Sequence, residues 1–322
     1  MYNRTLIIQL IIIVTFGFTR LSLACDFCLM HQGISPLETL NGAGLRVTQR
    51  YTYLDSVYQG TNEVSNPGAS EQFWTTDVSS FYSLTEGLLL IGNIPLRITQ
   101  GDGDVSSAAG GGVDLDTDSG GDEGIGDLSL LARYTFFRHH TLDSTFFLAI
   151  SGGIKLPTGS TDGRNNSGAF LDAHTQLGTG SVDGLFGFGF NYAWKRFTVS
   201  SNILAAINSE GEFGNTSHQF GNAINYDLTG RYRIFPATIG QSTTQAFVSL
   251  GLAGETRERE EEGNVEVQDS GGTTLYATPG LQINFASHWV TELSYQHGVY
   301  HNLFGTQLGE DYKVFGSLTY LL

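Results

Sequence analysis

NAINYDLTGRYRI, residues 222–234, alternates without a break. Ile224, Tyr226, Leu228, Gly230, Tyr232 and Ile234 share one parity, and Asn225, Asp227, Thr229, Arg231 and Arg233 share the other. Successive strand side chains point to opposite faces, so this stretch sorts into one apolar and one charged surface. A soluble sandwich has to bury the first face in a dry core. A membrane barrel turns it to lipid and keeps the second face in a wet lumen.

Working outward, Val182 to Trp194 carries Phe186, Phe188, Phe190, Tyr192 and Trp194 on one face. Five aromatics in a row suit a lipid face that ends in an interfacial girdle. In 124–137, Leu128, Leu130, Ala132, Tyr134 and Phe136 alternate with Asp127, Ser129, Leu131, Arg133 and Thr135. Twelve such segments can be drawn, at about 44–55, 72–84, 87–98, 124–138, 144–156, 180–194, 196–208, 220–234, 243–256, 272–285, 287–300 and 311–322. The connections after the odd segments are long (56–71, 99–123, 157–179, 209–219, 257–271, 301–310), and those after the even ones are short. Long outer loops and short periplasmic turns are what an outer-membrane barrel has. The pattern predicts an all-β fold, a transmembrane antiparallel up-and-down barrel of about twelve strands.

The start of the chain fits export. Arg4 precedes an apolar run from Leu6 to Phe18, and small residues stand at Ser22 and Ala24, so residues 1–24 read as a signal peptide. The run is short for a membrane helix, which needs about 20 apolar residues. Residues 25–43 have no period and form an irregular N-terminal segment, periplasmic or plugging the lumen. The barrel takes 44–322. The expected place is the bacterial outer membrane, with outer-membrane lipid as a partner.

Composition agrees. There are 42 Gly, 21 Phe and 14 Tyr against 6 Pro and 2 Met, and 40% of residues are hydrophobic. A barrel needs only every second strand residue apolar, whereas a helical membrane protein needs whole apolar helices. The net charge of −16 excludes phosphate-backbone binding, so no nucleic-acid partner is expected. The acids concentrate in 101–123 and 255–269, which read as solvated loops.

Three stretches, GIGDLSLLARYTF (124–136), KLPTGS (155–160) and LGTGSVD (177–183), resemble the outer-membrane transporters associated with meta-pathway phenol degradation. The resemblance covers most of the chain after residue 40. It implies an outer-membrane channel for small-molecule solutes, hydrophobic or aromatic compounds among them.

Parity points Arg46, Arg50, Arg97, Arg133, Lys155, Arg231, Arg233 and Lys313 into the lumen, with Asp77, Asp127, Asp183, Asp227 and Glu292. These residues either line a pore and set its selectivity or pair with one another to hold the barrel's shape. The same register turns Leu131, Leu185, Leu204 and Phe247 inward, a greasy path for an apolar solute. Cys25, Cys28 and His31 form C-x-x-C-x-x-H. They could hold a soft metal, but a Cys25–Cys28 disulfide or a free tail explains the same residues. Asp114, Asp116 and Asp118 resemble the front of a calcium loop, but Ile125 stands where the closing acid belongs. A solvated acidic loop accounts for them without any ion, and no cofactor is expected beyond such a surface calcium ion.

Three functions compete: passive transport, a structural or ion-binding barrel, and an outer-membrane enzyme. For the third, Ser294 and Glu292 neighbour His288, His297 and His301, but Ser294 and His297 differ in parity and no G-x-S-x-G elbow occurs. The expectation is a non-enzyme whose oligomeric state is open.

Overall fold

The 222–234 alternation becomes the Ala223–Phe235 strand in the computed structural model, which describes residues 42–108, 112–213, 216–238 and 242–322. The Cys25, Cys28 and His31 cluster and the signal-peptide reading lie outside these residues. Asn225, Asp227 and Arg233 are buried, while Ile224, Leu228, Tyr232 and Ile234 are exposed on the outer surface. Each side chain of that size moved from water into hydrocarbon contributes about 1.5–3 kcal/mol, so the outer face stabilises the fold only against lipid.

Among the described residues eleven elements close the ring: Ala43–Gly60, Ser70–Ser83, Leu88–Ser107, Leu128–His140, Ser144–Leu156, Asp183–Trp194, Phe197–Ile207, Ala223–Phe235, Gln245–Arg257, Gly272–Phe285 and Trp289–Leu321. Every neighbouring pair is antiparallel, and the last element pairs with the first. Closure leaves no sheet edge, which a hydrocarbon solvent requires.

The 33-residue last element makes two passes. Trp289 to Leu303 pairs with Gly272–Phe285, and Leu303 to Leu321 pairs with Ala43–Gly60. Gly305 sits at the reversal with φ +67°, a conformation glycine adopts without strain. Counted by partner, the ring has twelve passes. The expected long loop at 301–310 is absent, because pairing continues through it: Asn302 opposes Thr273 and Thr306 opposes Gln59.

Other expected loops are also partly strand. Val113–Gly120 pairs back onto Leu88–Ser107. Its acids alternate with Val113 and Leu115, which pack against buried Val57, Ala69 and Val105. The acidic stretch is therefore a two-faced strand that extends the wall. Gly211–Phe213, Thr216–Gln219, Glu261–Glu262 and Val265–Glu266 form a separate four-stranded sheet at the long-loop end. The opposite end has tight turns, including Ala286 and Ser287, both at positive φ as a two-residue hairpin requires.

One wall changes partner. Leu88 to Asn93 pairs with Leu128–His140, and Leu96 to Ile98 pairs with Glu123–Ile125. Pro95 lies between and has no N–H to give to the ladder. Its carbonyl accepts from Gly126 N–H at 2.9 Å.

Candidate functional site

The partner change at Pro95 aims Asp127 inward, where it is buried. Gly159 N–H donates to its Oδ1 at 3.0 Å, and Thr179 donates N–H and Oγ1–H to its Oδ2 at 2.8 and 2.7 Å. These residues come one each from the three stretches that carry the family resemblance. A Cβ on Gly178 would meet Asp127 Oδ1 at 2.6 Å, and one on Gly159 would meet Gly178 Cα at 2.6 Å. Glycine at both places lets two backbones close on one carboxylate. Arg97 Nη1 donates to Leu177 carbonyl at 2.7 Å, drawing the same loop inward. Loop 157–182 is thus folded into the barrel mouth, with Gln176, Leu177 and Thr179 buried.

Below the loop the lumen is charged. Lys155 Nζ lies 2.6 Å from Asp183 and 3.8 Å from Asp127. Arg46 Nη2 is 2.6 Å from Glu292, and Arg231 Nη2 is 3.7 Å from the same carboxylate. Arg50 donates to Thr75 Oγ1 at 2.9 Å, and Asp227 accepts from Asn202 at 3.1 Å. Asp77 accepts from Asn93 at 3.5 Å, and the Arg133 guanidinium stands 6.0 Å from the Phe147 ring. Lys313 pairs with Glu310 at 2.5 Å beneath Tyr276, whose hydroxyl donates to that carboxylate. Arg46, Arg50, Arg97, Asp127, Arg133, Asp183, Asp227 and Arg233 are all buried, and Arg231 and Glu292 are half-buried.

Part of the inner wall is apolar. Leu131, Leu185 and Leu204 form a buried cluster with Ala206, and Ile91 packs on it. Phe247 is half-buried opposite Arg233, apart from that cluster. A cavity of about 100 Å³ adjoins the cluster, with Arg46, Asp77, Leu131, Arg133, Leu204 and Phe315 on its walls.

A larger cavity, about 680 Å³, opens at the long-loop end. Leu54, Phe73 and Leu308 make one side of it, and Glu260, His174 and His218 stand on another. Glu260 is only 2% exposed. His218 Nε2 is 3.1 Å from its Oε2, His174 Nε2 is 3.3 Å from its Oε1, and Arg257 Nη1 is 3.9 Å away. Burial pushes the Glu260 carboxyl up, but His174, the His218 hydrogen bond and Arg257 together hold it down at about 2. Glu260 in turn raises His174 to about 9 against the effect of burial. Water screens part of that pull, since 37% of the His174 side chain is exposed.

Sequence reasoning missed this latch. It treated 255–269 as a solvated loop, and no spacing links residues 174, 218 and 260. Asp114, Asp116 and Asp118, read from sequence as a solvated acidic loop or the front of a calcium loop, lie on the extended Val113–Gly120 strand. Among the described residues no group of three His, Cys, Asp or Glu could hold a metal. The hydrolase candidates do not assemble: His297 is exposed, Ser294 half-buried, and His301 buried against Tyr58 with its Nε2 3.1 Å from Glu310 carbonyl.

A closed antiparallel barrel, apolar outside and charged within, defines a β-barrel protein of the outer-membrane type. The chain belongs to the family described as "Putative MetA-pathway of phenol degradation", whose model matches residues 54–302. Among solved structures it is similar to an outer membrane channel from Pseudomonas putida F1, with 15% identity and a TM-score of 0.64, covering 88% of this chain and 96% of that one. It also matches a Pseudomonas aeruginosa FadL homologue (11% identity, TM-score 0.39, covering 87% and 90%) and the CymD monoaromatic hydrocarbon channel (11%, 0.38, 94% and 95%). Scores that low bear on neither fold nor function. No curated protein matches.

Proposed function

We propose that this barrel is an outer-membrane channel for passive uptake of small solutes, hydrophobic or aromatic compounds in particular. The observation that carries the reading is the pair of cavities inside one closed wall. The 680 Å³ vestibule is large enough for a one-ring compound, and the smaller cavity beneath it meets the Leu131, Leu185 and Leu204 cluster. Family membership and the channel from Pseudomonas putida F1 support the same reading. The long-loop end faces outward, and the inward-facing arginines and carboxylates line the route.

A second reading is a structural barrel. The interior ion pairs favour it, since Lys155, Arg46 and Lys313 all have carboxylate partners within 2.6 Å. Uptake of aromatic compounds by cells with and without the protein, together with conductance in planar bilayers, separates the two. A channel gives both protein-dependent signals. Absence of both leaves the structural reading.

A further inference from the structure

Lys195 and Arg196 form the two-residue connection between Asp183–Trp194 and Phe197–Ile207, at the end of tight turns. Lys195 has φ +53°, in the region that glycine fills without strain. Glycine or asparagine is the usual residue there in a two-residue hairpin. Strain of this kind persists where surrounding contacts fix the residue, and it gathers at binding sites.

The fixing contacts lie on the outer face. Lys195 Nζ is 5.3 Å from the centroid of the Trp194 ring, and the Arg196 guanidinium stands 4.8 Å from that of Tyr232. Both are within cation–π range. Arg196 Nε donates to the Arg233 carbonyl at 2.9 Å, and its Nη2 donates to the Ile234 carbonyl at 3.3 Å. Among the described residues its Nη1 makes no hydrogen bond. Lys195 Nζ is 3.8 Å from Asp143, but both side chains are more than half exposed, so water and salt screen that pair.

The rings beneath the two cations belong to the wall. Phe197 opposes Trp194 on one side and Tyr232 on the other, and all three are exposed. Phe186, Phe188 and Tyr192 continue the apolar stripe along the Trp194 strand. Aromatic rings at the end of such a stripe lie at the headgroup level of a bilayer. Two cations are therefore held where lipid phosphates are. Acid-rich 101–123 and 255–269 belong to the long-loop end, so attraction to an anionic surface falls at this rim. Trp289 marks a different sector of the same rim. Phe285 and Tyr320 flank it at 6.4 and 4.7 Å, and the neighbouring turn, 286–288, has no lysine or arginine.

We infer that Lys195 and Arg196 form a headgroup site for an anionic phospholipid of the periplasmic leaflet. Its phosphodiester sits between the two cations, and its acyl chains run along Trp194, Tyr192 and Phe188. A free phosphate would meet the charges and leave the rings uncovered. Phosphatidylethanolamine carries its own ammonium, which offsets its phosphate. Phosphatidylglycerol has a net negative charge and chains that cover the stripe. The site lies outside the lumen, so it stands or falls apart from the channel reading.

The test is quenching of Trp194 by brominated lipid. Full-length protein with Trp74→Phe and Trp289→Phe is reconstituted in vesicles of phosphatidylglycerol and phosphatidylethanolamine, with one lipid brominated and then the other. Preference for phosphatidylglycerol at Trp194 should be about fivefold for each cation, the attraction of one basic residue to an anionic surface. Protein that keeps Trp289 alone (Trp74→Phe, Trp194→Phe) should show little preference. Lys195→Gly removes the charge and relieves the backbone together, so it keeps the fold, and it should cut the preference about fivefold. Arg196→Gln should cut it by a like amount, and Arg196→Lys should keep it. Equal binding of the two lipids at Trp194 overturns the site, and so does the same preference at Trp289. A preference unchanged when Lys195→Gly and Arg196→Gln are combined also overturns it. Loss of the preference on adding inorganic phosphate, but not chloride at equal ionic strength, would assign the cations to free phosphate and overturn the lipid site.

Discussion

Lys155 Nζ stands 2.6 Å from Asp183 Oδ2 and 3.8 Å from Asp127 Oδ2, so one ammonium joins the two carboxylates that hold the inward loops. Both carboxylates take further donors. Asp127 takes Gly159 and Thr179, while Asp183 takes the Ser181 hydroxyl at 2.8 Å and the Ser209 N–H at 2.9 Å. Two long connections are thereby fixed to three strands.

Asp127→Ala should therefore release loop 157–182. It deprives three donors of their acceptor inside a site that is 1% exposed. Removing one partner of a buried charged network costs about 3–5 kcal/mol. Unfolding in detergent should shift by that amount, and the Gly159 and Thr179 amides should exchange hydrogen faster than those of the wall strands. Unchanged exchange at those two amides would remove Asp127 as the anchor.

Leu228→Arg and Thr229→Arg test the register of the wall. Leu228 is 50% exposed on the outer face, and Thr229 is half-buried on the inner one. An arginine facing lipid near the midplane costs about 2–4 kcal/mol. Thr229→Arg places its guanidinium in the wet lumen and should cost less. Folding titrations in lipid vesicles give both values, and equal losses would put the strand in the wrong register.

The wall was legible because period two fixes a side chain's face from its own strand alone. Arg46 and Asp227 needed nothing else. The loops were not, because their structure depends on distant partners. Val113 and Leu115 show their apolar face only beside Val57 and Val105, and Glu260 becomes a buried acid only when His174 and His218 reach it. The 301–310 reversal was hidden for another reason. Its polar residues look like a loop, yet Gly305 turns tightly enough that pairing is never lost.

Topology can be tested at two turns. Gly263 and Asn264 form the positive-φ tip between Glu261–Glu262 and Val265–Glu266, at the long-loop end. An epitope inserted there should bind antibody on intact cells. One inserted at 141–143, between Leu128–His140 and Ser144–Leu156, should bind only after the outer membrane is opened. The reverse result would invert the barrel.

The latch predicts a pH window. Glu260 is depressed from 4.5 to about 2, so its contribution is present above about 4.5 and lost as pH falls through about 2. His174 is raised from 6.5 to about 9, so its contribution is complete below about 6.5 and lost as pH rises through about 9. The loops should be held most firmly between about 4.5 and 6.5, where both terms are complete. Hydrogen-exchange protection across 258–271, taken relative to the intrinsic base-catalysed rate, should fall on the alkaline side in the wild type. His174→Gln should flatten that limb and also weaken the acid limb, leaving the part of it that His218 and Arg257 sustain. An alkaline limb unchanged in this variant would assign it to another group.

The apolar cluster makes the last prediction. Leu204 is 6% exposed and packs with Leu131 and Leu185 beside the lower cavity. An aromatic solute that has left the vestibule meets charged groups of the lower lumen and, beside them, this apolar cluster. Hydrophobic contact of about one side chain is worth about 1–3 kcal/mol to a passing ring, and the low end is about tenfold in rate. Leu204→Asn keeps the side chain's approximate size and replaces that contact with an amide. Aromatic uptake should drop by up to that factor while small-ion conductance stays near the wild-type value, because ions follow the charged wall. Leu204→Met restores an apolar surface of similar volume and should restore uptake. Normal uptake in Leu204→Asn, in protein shown to be folded by its conductance, means that the solute does not pass over this cluster.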